Sequence, residues 1–247
     1  MDQINSESKV MKGCLLSESF INTYFKREGV SLVAGRPRMG KSVFAWCLAE
    51  NLIRQKQKVL FFSLEMSKEQ VLKGLQGLGC YSNDIESLLV IDDTPASTIS
   101  YMCQLFEKGC YDYVIVDDIH LMSSSCQAKT RQEEMAHIIN GFKEMAKERN
   151  ISAILFTQIR KLTEYSHKKD IKPRLEDLGK YYSNCIYEDV HVSFLHREAF
   201  YKRSKDDLLE FITYYPNNER KIEYIFLRID VMKSSLSAHG CLNTYLK

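Results

Sequence analysis

Short apolar runs alternate with stretches of helical periodicity along the first two thirds of the chain. Residues 30–34, 58–64, 88–91, 113–116 and 151–157 are nearly continuous apolar segments of strand length. Strands apolar on both faces belong in a parallel sheet covered by helices on both sides. Between them, residues 42–53, 96–108 and 128–149 carry apolar positions at helical spacing. Ser67-Lys68-Glu69-Gln70 reads as a capping box opening a helix that runs to about Leu78. The last third changes character. Residues 186–196 and 222–228 look like strands with no long helix between them, and Tyr214-Tyr215-Pro216-Asn217-Asn218 reads as a turn between strands. The predicted fold is α/β: a mostly parallel central sheet with helices on both faces and antiparallel C-terminal strands.

Composition fits this picture. Of 247 residues, 45% are hydrophobic and 27% charged, with a net charge of +2, which excludes a disordered, collagen-like or globally basic chain. No run of 18 apolar residues predicts a membrane span, and the polar, acid-bearing first ten residues do not resemble a signal peptide. The eight cysteines form no C-x-x-C pair. Reduced, buried or half-buried thiols (Cys103, Cys110 and Cys126 among them) in a cytoplasmic protein are expected. Glycine and proline are scarce, so no flexible linker divides the chain. Residues 1–27 read as a short N-terminal extension and 28–247 as one domain. Within the extension, residues 17–26 are expected to form a short helix packing on a neighbouring subunit. The balanced total hides residues 159–182, a polar stretch with seven basic and four acidic side chains, a local +3. A loop of that length within a compact domain is usually functional.

Candidate chemistry begins after the first strand. Gly35-Arg36-Pro37-Arg38-Met39-Gly40-Lys41-Ser42 fits G-x-x-x-x-G-K-[ST]. The glycines let backbone N–H groups turn inward around phosphate oxygens, and the following helix aims its positive end at them. In this pattern Lys41 reaches the outer phosphates and the Ser42 hydroxyl ligates Mg²⁺. A second acid is expected at a neighbouring strand end, and Asp117 ends the run Tyr113-Val114-Ile115-Val116, where it would hold Mg²⁺ through water. Glu65 follows the strand KVLFFSL and would lie at the same edge, either as the base for an attacking water or as an ordinary helix-start acid. Gln158, after residues 151–157, would read the γ-phosphate, or be a plain loop amide. His120 either approaches phosphate or caps and packs.

Taken together, these residues resemble the C-terminal motor domain of DnaB-type replicative helicases, which has the RecA-like fold. Ala34 to Ser42 is similar to the family's A-x-R-P-x-M-G-K-[ST], Phe62-Ser63-Leu64-Glu65-Met66 to F-S-L-E-M, and Ile91-Asp92-Asp93-Thr94-Pro95 to I-D-D-T-P. Val116-Asp117 with Leu121-Met122 resembles I-D-Y-L-Q-L-M, Thr157-Gln158 resembles S-Q, and residues 175–178 resemble the approach to D-L-R-E-S-G. The resemblance spans roughly residues 28–230. It implies a Mg²⁺-dependent ATPase moving on single-stranded DNA, working as a homo-hexamer or other ring with nucleotide between subunits and a possible replication partner protein. Lys41 and Ser42 would hold phosphate and Mg²⁺, Glu65 would be the base, Asp117 the metal acid, and Gln158 the phosphate sensor. Arg160, Lys161, Arg174 and Lys180 would be the DNA contacts. Two places depart from the pattern. Gly179-Lys180-Tyr181-Tyr182 replaces Arg-Glu-Ser-Gly after Asp177-Leu178, leaving Lys180 to supply charge and Tyr181 or Tyr182 to stack on bases. The late Lys-x-Arg becomes Arg228-Ile229-Asp230, with an acid where the arginine finger should stand. Either Arg228 serves as the finger or activation across subunits is weak. An alternative reading is an ATP-binding regulator of a helicase ring with little turnover.

Overall fold

Strands form where both faces are apolar, because helices cover the sheet on both sides and bury most side chains of its central strands. The computed structural model describes residues 16–78, 84–124, 128–159, 171–179, 182, 190–198, 209–214 and 220–225. In chain order the elements are α1 (Glu18–Tyr24), β1 (Gly29–Gly35), α2 (Lys41–Arg54), β2 (Val59–Ser63), α3 (Lys68–Gly77) and α4 (Asp84–Leu88). They continue with β3 (Leu89–Asp92), α5 (Ile99–Glu107), β4 (Tyr113–Asp117), α6 (Arg131–Arg149), β5 (Ser152–Gln158), β6 (Val190–His196), β7 (Leu209–Tyr214) and β8 (Arg220–Ile225). The sheet order is β3-β2-β4-β5-β1-β6-β7-β8. Pairing is parallel from β3 through β6 and antiparallel for β6–β7 and β7–β8. Both the mixed sheet and its antiparallel end are as the pattern predicts.

Alternation along β1 shows how the two layers arise. Val33 faces one cluster, with α1, α2, α3 and residues such as Phe61, Ile115 and Phe156. Val30, Leu32 and Ala34 face the other, with α5, α6 and Leu60, Val114 and Leu155. The helix ends follow local chemistry. Ser67 accepts from the Gln70 backbone N–H while its own N–H donates to the Gln70 side chain, the capping box read from sequence. Thr98 and Thr130 cap α5 and α6, and Asn150 closes α6 in the left-handed region that asparagine tolerates.

Two expectations are corrected. The helix at residues 17–26 forms, but its apolar face turns into the chain's own core rather than toward a neighbour. Phe20, Tyr24 and Phe25 set their rings 5.0–6.2 Å from Phe211 on β7, and Leu16 N–H donates to Asn51 Oδ1 at 3.0 Å. A short helix carrying three aromatic rings gains more by covering the sheet than by facing water. The apolar pattern also left β7 unnamed, because its charged Glu210 breaks the run. The predicted strand segments 186–189 and 226–228 lie outside the described residues.

Packing of α3 on α2 sets a stability test. An added Cβ at Gly74 would stand 2.5–2.7 Å from the Trp46 ring, which is buried and cannot move aside. Ala is the better helix former by about 1 kcal/mol, but overpacking costs about 1–3 kcal/mol. Gly74→Ala is therefore expected to lower the melting temperature by about 2–4 °C for each kcal/mol of net loss, measured by thermal unfolding. An unchanged or raised melting temperature would contradict this packing.

Candidate functional site

The carboxyl ends of four neighbouring strands bring the predicted residues to one edge of the sheet. Gly35 at the end of β1 pairs in register with Gln158 of β5, and Ser63 of β2 with Asp117 of β4. Open α/β sheets bind ligands at this edge.

The loop from Gly35 to Ser42 takes its shape from its glycines and its buried anchors. Gly40 has φ +88°, the left-handed region, and Arg38 has φ +67°. Met39 is buried in the core and fixes the loop from below. At Gly35 an added Cβ would crowd the Lys41 stem at 3.2 Å, so the glycine lets that side chain fold back over the strand end. The Lys41 ammonium then donates to Gln158 Oε1 at 3.4 Å. Helices α1, α3, α5 and α6 each begin at a Ser or Thr whose hydroxyl caps a backbone N–H. Helix α2 begins at Gly40 with no side-chain cap and no acid in its first turn. Its N–H groups and positive dipole end are left for an anion.

The Arg36 side chain turns away from the rest of the loop. Its guanidinium is buried and donates to the Ile171 carbonyl at 2.6 Å and to Asp177 Oδ2 at 3.1 Å. Only its backbone remains to face a phosphate. Pro37 is half-buried and Arg38 exposed.

Asp117 is enclosed, and neither carboxylate oxygen has a hydrogen-bond partner. Burial pushes its pKa up to about 6, and the Glu65 charge adds to the rise. The Ser42 hydroxyl and the Lys41 ammonium pull it back; Ser42 faces the acid without the geometry of a formed hydrogen bond. Asp118 is also buried, and desolvation with the neighbouring Asp117 charge lifts it to about 7, against the donated His120 N–H at 3.0 Å. Glu65 is exposed, in the bend after β2. That bend is held by Leu64 N–H donating to the Asp117 carbonyl at 2.8 Å and Ser63 Oγ to the Met66 carbonyl at 2.6 Å. An enclosed carboxylate without donors, opposite a serine hydroxyl, suits a hard cation that completes its shell with water and phosphate oxygens. Among the described residues no cluster of three or more His, Cys, Asp or Glu forms a cage for a metal, so a cation here needs the ligand's oxygens.

The raised acids predict a pH dependence. Between about pH 4 and the folded values near 6 and 7, the folded chain holds more protons than the unfolded one, so these groups lower its stability as pH rises. His120 acts oppositely, because burial and the Arg131 charge lower its pKa. The difference between the chain and Asp118→Asn therefore isolates the acid. In magnesium-free buffer, Asp118→Asn is expected to gain melting temperature relative to the chain as pH rises from 5 to 8. A constant difference would contradict the burial argument.

The His120 ring packs against Tyr182, with ring centroids 5.8 Å apart. Its Nε2 lies 3.1 Å from the Tyr182 hydroxyl, which is 2.6 Å from Thr157 Oγ1. Tyr182 is buried, which corrects its candidacy as a base-stacking residue. Cys110 is exposed, against expectation, and Cys103 is partly buried. Arg174 is exposed at the start of the 3-10 turn Leu175–Leu178, and Lys172 spends its charge on Glu210 at 2.8 Å. Cys126, Arg160, Lys161, Lys180, Tyr181, Arg228 and Asp230 lie outside the described residues. Sequence reasoning missed the Arg36–Asp177 pair, because no spacing links residues 141 positions apart. It also missed the Thr157–Tyr182–His120 chain for the same reason.

The model of the DnaB-like helicase C-terminal domain family matches residues 21–80 and 76–227. A probable replicative DNA helicase of Trieres chinensis is 30% identical over 214 residues, covering 74% of this chain and 46% of that protein. The replicative DNA helicase DnaB of Rickettsia bellii is 32% identical over 221 residues, covering 74% and 44%. The chain spans about half the length of the curated relatives it matches. Among solved structures, a DnaB-like replicative helicase described with its interactions with primase superposes with TM-score 0.70 at 21% identity, covering 91% of this chain and 64% of that one. The ATPase domain of G40P superposes with TM-score 0.68 at 21% identity, covering 90% of each. At that identity the two structures establish the shared RecA-like fold.

Proposed function

The chain belongs to the DnaB-like helicase C-terminal domain family, and from that premise we propose that it is a Mg²⁺-dependent ATPase that moves on single-stranded DNA during replication. The observation that carries the reading is the meeting of Lys41, Ser42, Glu65, Asp117 and Gln158 at one sheet edge, around a buried carboxylate left without donors.

In this reading the backbone of residues 35–40 and the N-terminus of α2 cradle the phosphates, and Lys41 neutralises charge on the outer ones. Ser42 and Asp117 would hold Mg²⁺, which when bound offsets phosphate charge as the terminal group departs. Glu65, on its bend at the mouth of the site, orients water and takes its proton. Gln158 exchanges its Lys41 contact for the γ-phosphate, so loss of that phosphate changes the end of β5 and the polar stretch that follows. Within that stretch Arg160, Lys161, Arg174 and Lys180 are the proposed contacts to DNA phosphates. Their charge makes binding fall steeply with salt. An arginine finger, if Arg228 supplies it, would act on the next subunit's nucleotide. The proposed assembly is a homo-hexamer or another ring in the cytoplasm, open to a replication partner protein. No described helix is long and apolar enough to cross a membrane.

Fluorescence anisotropy with labelled single-stranded and duplex DNA, run beside native mass, tests the DNA and ring parts. Preference for single strands in the presence of a slowly hydrolysed ATP analogue, from a multimer, is expected. A monomer without DNA affinity at low salt would contradict the reading.

A further inference from the structure

Arg36 lies one residue after Gly35, inside the loop whose backbone is proposed to hold phosphate, yet its side chain leaves that loop. Nη1 donates to the Ile171 carbonyl and Nη2 to Asp177 Oδ2. The same Asp177 oxygen accepts the Arg174 backbone N–H at 2.9 Å, and Asp177 N–H donates to the Arg174 carbonyl at 2.9 Å. One guanidinium therefore grips residues 171–179 near both ends. Two further ties run to β7: Lys172 pairs with Glu210, and the Tyr214 hydroxyl donates to the Pro173 carbonyl at 2.7 Å. Residues 171–179 thus bridge the phosphate-loop side of the sheet and its antiparallel end.

We propose that Arg36 and Asp177 form a strut through which nucleotide binding sets the position of residues 171–179, a route separate from Gln158 and β5; it builds on the nucleotide reading above. The chemistry favours a rigid link. A planar guanidinium fork holds its two acceptors in fixed relation, and Arg36 is only 5% exposed. A buried guanidinium stripped of its acceptor is strongly unfavourable, so the loop cannot shift and leave the segment behind. Ligation of phosphate by backbone N–H groups of the loop that ends at Gly40 and Lys41 fixes the backbone that carries this side chain. The segment it holds bears Arg174, one of the proposed DNA contacts. Arg36 and Asp177 are positioning residues; neither touches the reacting atoms.

Hydrogen exchange on the full chain tests this without requiring DNA. Amides of residues 171–179 are followed with and without ATPγS and magnesium, with nucleotide affinity titrated on the same samples. In the chain, nucleotide is expected to slow exchange in this segment by about 5–150-fold, the usual range of site-to-site coupling. In Asp177→Asn, which keeps the shape and removes the charge, that slowing is expected to disappear while nucleotide affinity stays within about threefold. Asp177→Glu is expected to restore part of it and guards against a folding defect. Equal slowing in the chain and in Asp177→Asn would overturn the strut. So would a chain that binds nucleotide but leaves the segment unchanged. A chain that binds no nucleotide overturns the site reading itself and the strut with it, and the titration distinguishes that result.

Discussion

Glu65→Gln is expected to slow ATP hydrolysis by about 10²–10⁴-fold while ATP affinity changes little. The glutamine keeps the side chain's length and polarity but cannot take a proton. Glu65 is exposed and sits on a bend held from outside its own side chain, by Leu64 N–H on Asp117 and Ser63 on Met66. The substitution should therefore leave the fold intact. Its charge also raises Asp117 and Asp118, so Gln at 65 lets both acids ionise at lower pH. Magnesium affinity below pH 7 should rise as turnover falls, since cation and proton compete for the same carboxylate. Steady-state rates with nucleotide titrations across pH separate these effects. Unimpaired hydrolysis would remove Glu65 from the role of base and return it to an ordinary helix-start acid.

Lys41→Ala is expected to cost about 10²–10³-fold in hydrolysis, the size of losing one preorganised group that stabilises transition-state charge, and to weaken ATP binding as well. The ammonium has two roles in the structure. It donates to Gln158 Oε1, and it holds down the pKa of both Asp117 and Asp118. Without it the acids keep their protons to higher pH, so residual activity should move toward alkaline pH. A variant with the chain's own affinity and pH profile would show that phosphate does not sit over α2.

Legibility differed between the core and the site's surroundings. The strands β1, β2, β4 and β5 were readable because each is a nearly continuous apolar run, ending at Gly35, Ser63, Asp117 or Gln158. The α3 capping box was readable because its partners are three residues apart. Asp117 was readable because a carboxylate at the end of Tyr113-Val114-Ile115-Val116 would be unfavourable without a task. What escaped depends on contacts between distant positions. The loop motif gave no sign that the Arg36 charge goes to Asp177, and Tyr182, a candidate to stack on bases, is buried against Thr157 and His120. Residues 17–26 looked like an interface helix because amphipathicity shows that a face must be covered, not by what; Phe211 of the same chain covers it.

The most direct measurement is the steady-state rate of ATP hydrolysis by the chain with magnesium, with and without single-stranded DNA, alongside Lys41→Ala. A magnesium-dependent rate that single-stranded DNA increases and Lys41→Ala lowers by about 10²–10³-fold is the predicted result. A chain that binds ATP but hydrolyses none, or whose rate ignores single-stranded DNA, would contradict it.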